Sequence, residues 1–112
     1  MAAPARGAVV LVPFPFSNLS QSKLRPAVVL AAAGRGDYVL CQLTSNPYGD
    51  RLAVELNQAD FASGTLQLTS YARPGKLFTA SGQLIQRQVG FLAAAALDRI
   101  VDVTVRLLRG LK

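Results

Sequence analysis

Ala27-Val-Val-Leu-Ala31, Gly34-Arg-Gly-Asp37 and Tyr38-Val-Leu-Cys-Gln-Leu43 form the stretch that decides the fold, two apolar, β-branched runs on either side of a glycine turn. Branched side chains suit a pleated surface, and glycine supplies the left-handed backbone that a tight reversal needs. The stretch predicts an antiparallel hairpin. Pro26, just before it, has no N–H to donate and is tolerated as the first residue of a strand, and it pushes Arg25 out of helical geometry into extended backbone. Arg25 therefore stands at the mouth of the hairpin.

Towards the N-terminus, Val9-Val-Leu-Val12 reads as a first strand that Pro13 and Pro15 bring to an end, and Ser17 to Lys23 reads as an exposed polar loop. Towards the C-terminus, Asn46-Pro-Tyr-Gly-Asp50 is a second turn cluster, followed by a short strand over Leu52 to Leu56. Asn57 to Gly64 has no period and reads as irregular chain with one helical turn. Leu66 to Thr69 and Lys76 to Thr79 read as strands on either side of Tyr71-Ala-Arg-Pro-Gly75, with a further short strand at Leu84-Ile85. From Gln88 the period changes from two to about 3.6, and Val89, Leu92 or Ala93, Ala96 or Leu97, Ile100, Val103 or Thr104 and Leu107 line one face of a helix of about twenty residues that Gly110 ends. The pattern predicts a mainly β chain with a C-terminal helix, a bent antiparallel sheet or partly open barrel within a single domain over residues 1–112. Such a sheet leaves an edge, and a homodimer is one way to cover it.

Composition limits the chemistry. Among 112 residues there is no His and one Cys, so neither a metal site built on imidazole or thiolate nor a nucleophilic mechanism with a His base is available. The six acids are scattered, apart from Asp98 and Asp102 on the helix, and no carboxylate cluster suggests a metal; the expectation is an activity with no metal and no cofactor. Cys41 lies in an apolar run and reads as a buried small hydrophobe in a reducing compartment. Twelve Lys and Arg against six Asp and Glu give a net charge of +6, which favours anionic partners. With no apolar run near the ~20 residues that span a bilayer and no apolar leader after Met1, the expectation is a cytoplasmic protein without membrane contact.

Closing the hairpin symmetrically about Gly34-Arg35 sets Leu30 against Val39, Ala27 against Gln42 and Arg25 against Thr44; half a residue of slip sets Ser45 there instead. Directly opposed Cβ atoms are about 4.5–5.5 Å apart, so a guanidinium and a hydroxyl could grip one phosphate between them. Asn46 adds a polar group beyond them, Lys23 leads into Arg25, and Phe14 and Phe16 offer stacking surfaces of the kind that suits single-stranded nucleic acid. A solvated edge pair is the plainer reading of Arg25 and Thr44, and core packing that of each Phe; spacing alone leaves both open.

Four segments in order, Gly7-Ala-Val-Val-Leu-Val-Pro-Phe-Pro-Phe-Ser17, Lys23-Leu-Arg-Pro-Ala-Val-Val-Leu30, Cys41-Gln-Leu-Thr-Ser-Asn46 and Ser70-Tyr-Ala-Arg-Pro-Gly-Lys-Leu-Phe-Thr79, with the closing helix, strongly resemble the MazF/PemK family of toxin endoribonucleases. The resemblance implies a homodimer of small SH3-like barrels of the CcdB/MazF type. Its implied activity is metal-independent, sequence-specific cutting of single-stranded RNA, leaving 2′,3′-cyclic phosphate and 5′-hydroxyl ends. It assigns catalysis to Arg25 and Thr44 and implies a cognate antitoxin whose acidic, disordered tail enters the RNA groove. Phe16, Lys23, Ser45, Asn46, Arg73 and Lys76 are the expected RNA-binding residues. Two departures stand out: Ala8 follows Gly7 where the family often has an acid, and no acid lies between Ser70 and Lys76. A gyrase-binding toxin of the CcdB type shares the fold but ends in Trp-Gly-Ile, whereas this chain ends Gly110-Leu-Lys112 and has no Trp. An SH3-like module that binds nucleic acid without cutting it is the other alternative.

Overall fold

The computed structural model describes residues 3–15, 22–66 and 68–111, with the side chains of Pro15 and Ser22 not described. Its strands are β1 (Ala8–Pro15), β2 (Ser22–Gly34), β3 (Asp37–Thr44), β4 (Val54–Leu56), β5 (Phe61–Gly64), β6 (Ser70–Ser81) and β7 (Arg87–Leu92), followed by one helix, α1 (Ala94–Leu108). All seven strands form one antiparallel sheet in the order β4-β6-β3-β2-β1-β7-β5.

That order forces curvature. β4 and β5 are the two outermost strands, yet only residues 57–60 separate Leu56 from Phe61. Seven flat strands at a spacing of about 4.8 Å would hold the edges roughly 29 Å apart, whereas so short a link reaches no more than about 18 Å. The sheet therefore curls into a half-barrel. The link is itself firm: a single 3₁₀ turn over Gln58–Asp60 starts with Asn57, whose side chain accepts from the Ala59 N–H while the Asp60 carboxylate accepts from the Asn57 N–H. Asp60 also takes Arg99 of α1 at 3.0 Å, which ties the helix to the seam.

Curling covers both faces of the central strands. On one, Val9, Val28, Leu30, Cys41, Leu43, Leu56, Ala72 and Leu92 pack with Ala96, Leu97 and Ile100 of α1. On the other, Ala8, Val10, Val12, Ala27, Val29, Leu40, Ala80 and Ile85 are buried against Phe14, Tyr38, Phe78 and Phe91. Strands covered on both sides need no polar alternation, which is why Val9–Val12 and Val28–Leu30 are unbroken apolar runs. Burial pushes the Cys41 thiol up to about 12, so it behaves as a core side chain.

Several expectations are corrected. Pro13 and Pro15 do not end β1: beyond Leu11 the strand has lost its β7 neighbour and pairs only with β2, and one free side is where a strand tolerates proline. Ser22 and Lys23 belong to β2 rather than to a loop, and the rest of that segment, residues 17–21, lies outside the described residues. The hairpin turns about Arg35-Gly36, and a register shift near Leu30 sets Val39 opposite Ala31; Ala27 still faces Gln42 as expected. The strand expected at Leu52 is shorter, starting at Val54, and irregular chain was expected where β5 forms. None of Leu66, Leu68 and Thr69 is in a strand, and Leu84 closes a 3₁₀ turn. β6 runs unbroken through Pro74 because its register with β3 shifts there, leaving residues 73–76 opposite Gln42 alone in a broad bulge where no ladder N–H is required. Finally, the helix begins at Ala94, not Gln88; Arg87–Leu92 form β7, wedged between β1 and β5.

The β5–β7 contact is tight enough to test. Gly64 has φ +68°, and a Cβ there would fall on the Val89 carbonyl oxygen and lie 2.6 Å from Gly90 Cα, whereas a Cβ on Gly34 (φ +89°) would meet nothing within 4 Å. Gly64→Ala should lower unfolding free energy by about 3 kcal/mol, and Gly34→Ala by only about 1 kcal/mol from its backbone alone, measured by urea denaturation.

Candidate active site

Arg25 of β2 and Thr44 of β3 lie past Ala27 and Gln42, the last residues that pair these two strands with each other, while Arg25 still pairs with Val12 of β1 and Thr44 with Tyr71 of β6. Counting outward in steps of two, Arg25 continues the face of Val29 and Ala27, and Thr44 that of Leu40 and Gln42. Both side chains accordingly line the same cleft, of about 350 Å³, with Gln42, Lys76 and the aromatic residues Phe14, Tyr48 and Phe78. The floor is apolar, built by an edge-to-face contact of Phe14 on Phe78 with centroids 4.5 Å apart. Lys76 reaches the cleft because it lies in the β6 bulge opposite Gln42. Two cations and a hydroxyl over an aromatic floor make a surface suited to a phosphate with unpaired bases beside it.

The wall beyond Thr44 is a chain of local hydrogen bonds. The Thr44 hydroxyl donates to the Asn46 carbonyl at 3.1 Å and accepts from the Asn46 N–H at 3.2 Å. The Asn46 side-chain oxygen accepts from the Tyr48 N–H at 2.9 Å, and the Asp50 N–H donates to the Pro47 carbonyl at 2.9 Å. Asp50 in turn accepts from the Leu52 N–H and, at 2.9 Å, from Nε of Arg73, a pair that is largely buried. The Arg73 hydrogen bond, aided by that N–H and by the positive charge of Arg73 and Lys76, holds the Asp50 carboxyl below the usual carboxylate range. Arg73 also lies over the Tyr48 ring, 5.7 Å from its centroid.

Of the residues expected at the site, Arg25, Thr44 and Lys76 come together. Ser45 lines a neighbouring cleft of about 280 Å³ that Arg25 and Thr44 also border, with Leu66 and Leu68. The Asn46 side chain is engaged in the turn, and Arg73, absent from the lining of either cleft, is engaged by Asp50. Lys23 is exposed on β2 opposite Phe14, and Phe16 lies outside the described residues. Sequence reasoning missed Tyr48 and Gln42 in the cleft and Asp50 as the partner of Arg73. An acid does stand beside Arg73, but it comes from the turn 23 residues earlier.

The model of the PemK-like, MazF-like toxins of type II toxin-antitoxin systems matches residues 5–107. The chain belongs to this family. Among solved structures, MazF in a MazE–MazF complex from Deinococcus radiodurans superposes with a TM-score of 0.76 at 22% identity, covering 97% of this chain and 98% of that one. A mycobacterial endoribonuclease in complex with its cognate antitoxin gives 0.70 at 18% identity over 100% and 98%, and the Mycobacterium tuberculosis toxin MazF-mt6 gives 0.68 at 16% over 94% and 98%. No curated protein sequence matches. The half-barrel with its closing helix is thus the MazF-like fold, and the cleft lies in a PemK/MazF toxin chain.

The Asp50–Arg73 pair generates a prediction. A carboxyl held low in the folded state stabilises the protein above its unfolded pKa, and that contribution disappears as pH falls through the folded value. Asp50→Asn should lower stability by about 1–3 kcal/mol at pH 7. The gap from the parent protein should persist down to about pH 5 and close in more acidic buffer. Thermal unfolding of both proteins across pH 3–7 checks this.

Proposed function

We propose that the chain is a metal-independent endoribonuclease that cuts single-stranded RNA, mRNA included, at short sequences and so inhibits translation and growth as the toxin of a type II system. The observation that carries the reading is that Arg25 and Thr44, from neighbouring strands, line one cationic, aromatic-floored cleft. In the reaction the 2′-hydroxyl oxygen attacks the adjacent phosphorus, the bond to the 5′-oxygen breaks, and a 2′,3′-cyclic phosphate and a 5′-hydroxyl result. The transition state carries extra negative charge on phosphorus-bound oxygens, and the Arg25 guanidinium neutralises it and supplies hydrogen bonds to them. Thr44 directs its proton to the Asn46 carbonyl and keeps a lone pair for the attacking 2′-hydroxyl, which it orients in line. Asp50 is a poor base, being held ionised by Arg73 and absent from the cleft lining, so the 2′ proton goes to water or to a phosphate oxygen, and the leaving 5′-oxygen takes its proton from water. Lys76 and Lys23 bind flanking phosphates. The toxin acts as one domain and as a homodimer, which covers the side of β1 left open beyond Leu11. An antitoxin with an acidic, disordered tail neutralises it, in keeping with the +6 charge and with the MazE–MazF complex of similar fold.

Incubation with a labelled mixed-sequence RNA in EDTA should yield discrete fragments with 5′-hydroxyl ends; intact RNA at high enzyme concentration would defeat the reading in favour of a binding module. Arg25→Ala should slow cleavage roughly 100- to 1000-fold without loss of fold, and Thr44→Ala less. Lys76→Ala should instead reduce the salt dependence of RNA binding by about one unit of slope.

A further inference from the structure

Tyr48 occupies a position that stability alone does not favour. Tyr48 and Gly49 are the central residues of the turn closed by the Asp50 N–H on the Pro47 carbonyl, and both have positive φ, +53° and +73°. Such a turn selects Asn, Asp or Gly at its first central position, because an ordinary side chain is strained there. The residue present is an aromatic ring, left 71% exposed. That ring is nevertheless braced: the backbone N–H of Tyr48 donates to the Asn46 side-chain oxygen, Arg73 covers one ring face, and Asp50 fixes Arg73 in turn. The ring lines the same cleft as Arg25, Thr44 and Lys76.

On the ribonuclease reading, which this inference requires, the geometry points to Tyr48 as the platform on which an unpaired nucleobase next to the scissile phosphate stacks. An aromatic ring with a cation behind it and water on its open face gains most from a flat π-surface laid over it, and every nucleobase offers one. Phosphates and bases alternate along a single strand, so a chain whose phosphate meets Arg25 carries a base past the rim of the same cleft. Stacking is tolerant of base identity, which makes Tyr48 a determinant of substrate affinity rather than of the bond-breaking step. The strain at φ +53° is retained because the ring is needed where only that backbone can present it.

The test uses the full-length chain and an RNA oligonucleotide spanning a mapped cut site, made uncleavable by a 2′-deoxy sugar there and carrying 2-aminopurine at each flanking position in turn. The parent protein and Tyr48→Phe should quench one flanking position; Tyr48→Asn should not, and should bind about tenfold more weakly. On cleavable RNA, Tyr48→Asn should raise KM with kcat little changed, while its thermal midpoint stays at or above that of the parent because Asn suits the turn. Tyr48→Leu, which keeps apolar bulk without a ring, should bind RNA as weakly as Tyr48→Asn. Parent-like quenching and affinity in Tyr48→Asn overturn the stacking role alone and leave the exposed ring to a protein partner. A parent protein that binds no RNA overturns the ribonuclease reading together with it.

Discussion

Everything in the half-barrel follows from one restraint, the short link between the first and last strands of the sheet. Because residues 57–60 must join β4 to β5 across the seam, the sheet cannot lie flat, and the Asn57–Asp60 hydrogen bonds with the Arg99–Asp60 pair hold that seam to the helix. Curvature buries both sheet faces, one against α1 and one against aromatic side chains, and so allows strands with almost no polar residues. It also brings the β6 bulge, the ends of β2 and β3 and the turn after β3 around one cleft.

The cleft lies where the pairing of β2 with β3 has stopped. Ala27 and Gln42 are still paired, but Arg25 and Thr44 extend past them on the face that deeper in the sheet carries Val29 and Leu40. An apolar cluster thereby becomes a polar site within two residues, without any change in strand direction. The rigid sheet fixes where the functional groups start, and the turn from Thr44 to Asp50, bonded through Asn46 and anchored on Arg73, fixes how its wall is shaped.

How much of this could be read in the sequence depends on the range of the interactions that decide each element. The β2–β3 hairpin, with Ala27 facing Gln42, depends on local rules, a glycine turn and alternation, and was legible to within two register shifts. The boundary between β7 and α1 was not, because the three-residue spacing of Val89 and Leu92 continues the helical period of α1; pairing with β1 and β5, remote in sequence, decides for the strand. Pro74 looked like a strand breaker, and only the register shift opposite Gln42 makes it acceptable. Asp50 and Arg73 carry no mutual signal across 23 residues. Tyr48 was hidden for the opposite reason: its Pro-Tyr-Gly-Asp context announces a turn, and turn residues are read as connectors unless their backbone angles are known.

On the proposed reading, a site without His must obtain its rate from electrostatics and orientation, and the disposition of charge around this cleft is consistent with that demand. Arg73 would be a third cation at the cleft if it were not bound to Asp50, and Asp50 would repel a phosphate if it were not bound to Arg73. Pairing them removes both effects and turns the two side chains into a brace for the turn, while the charge that remains in the cleft, on Arg25 and Lys76, is positive. On that reading, a cleft built this way attracts polyanions without regard to their kind. On the proposed reading, an acidic protein tail and an RNA strand would therefore compete for the same two cations, and inhibition by such a tail requires no change in the conformation of the sheet.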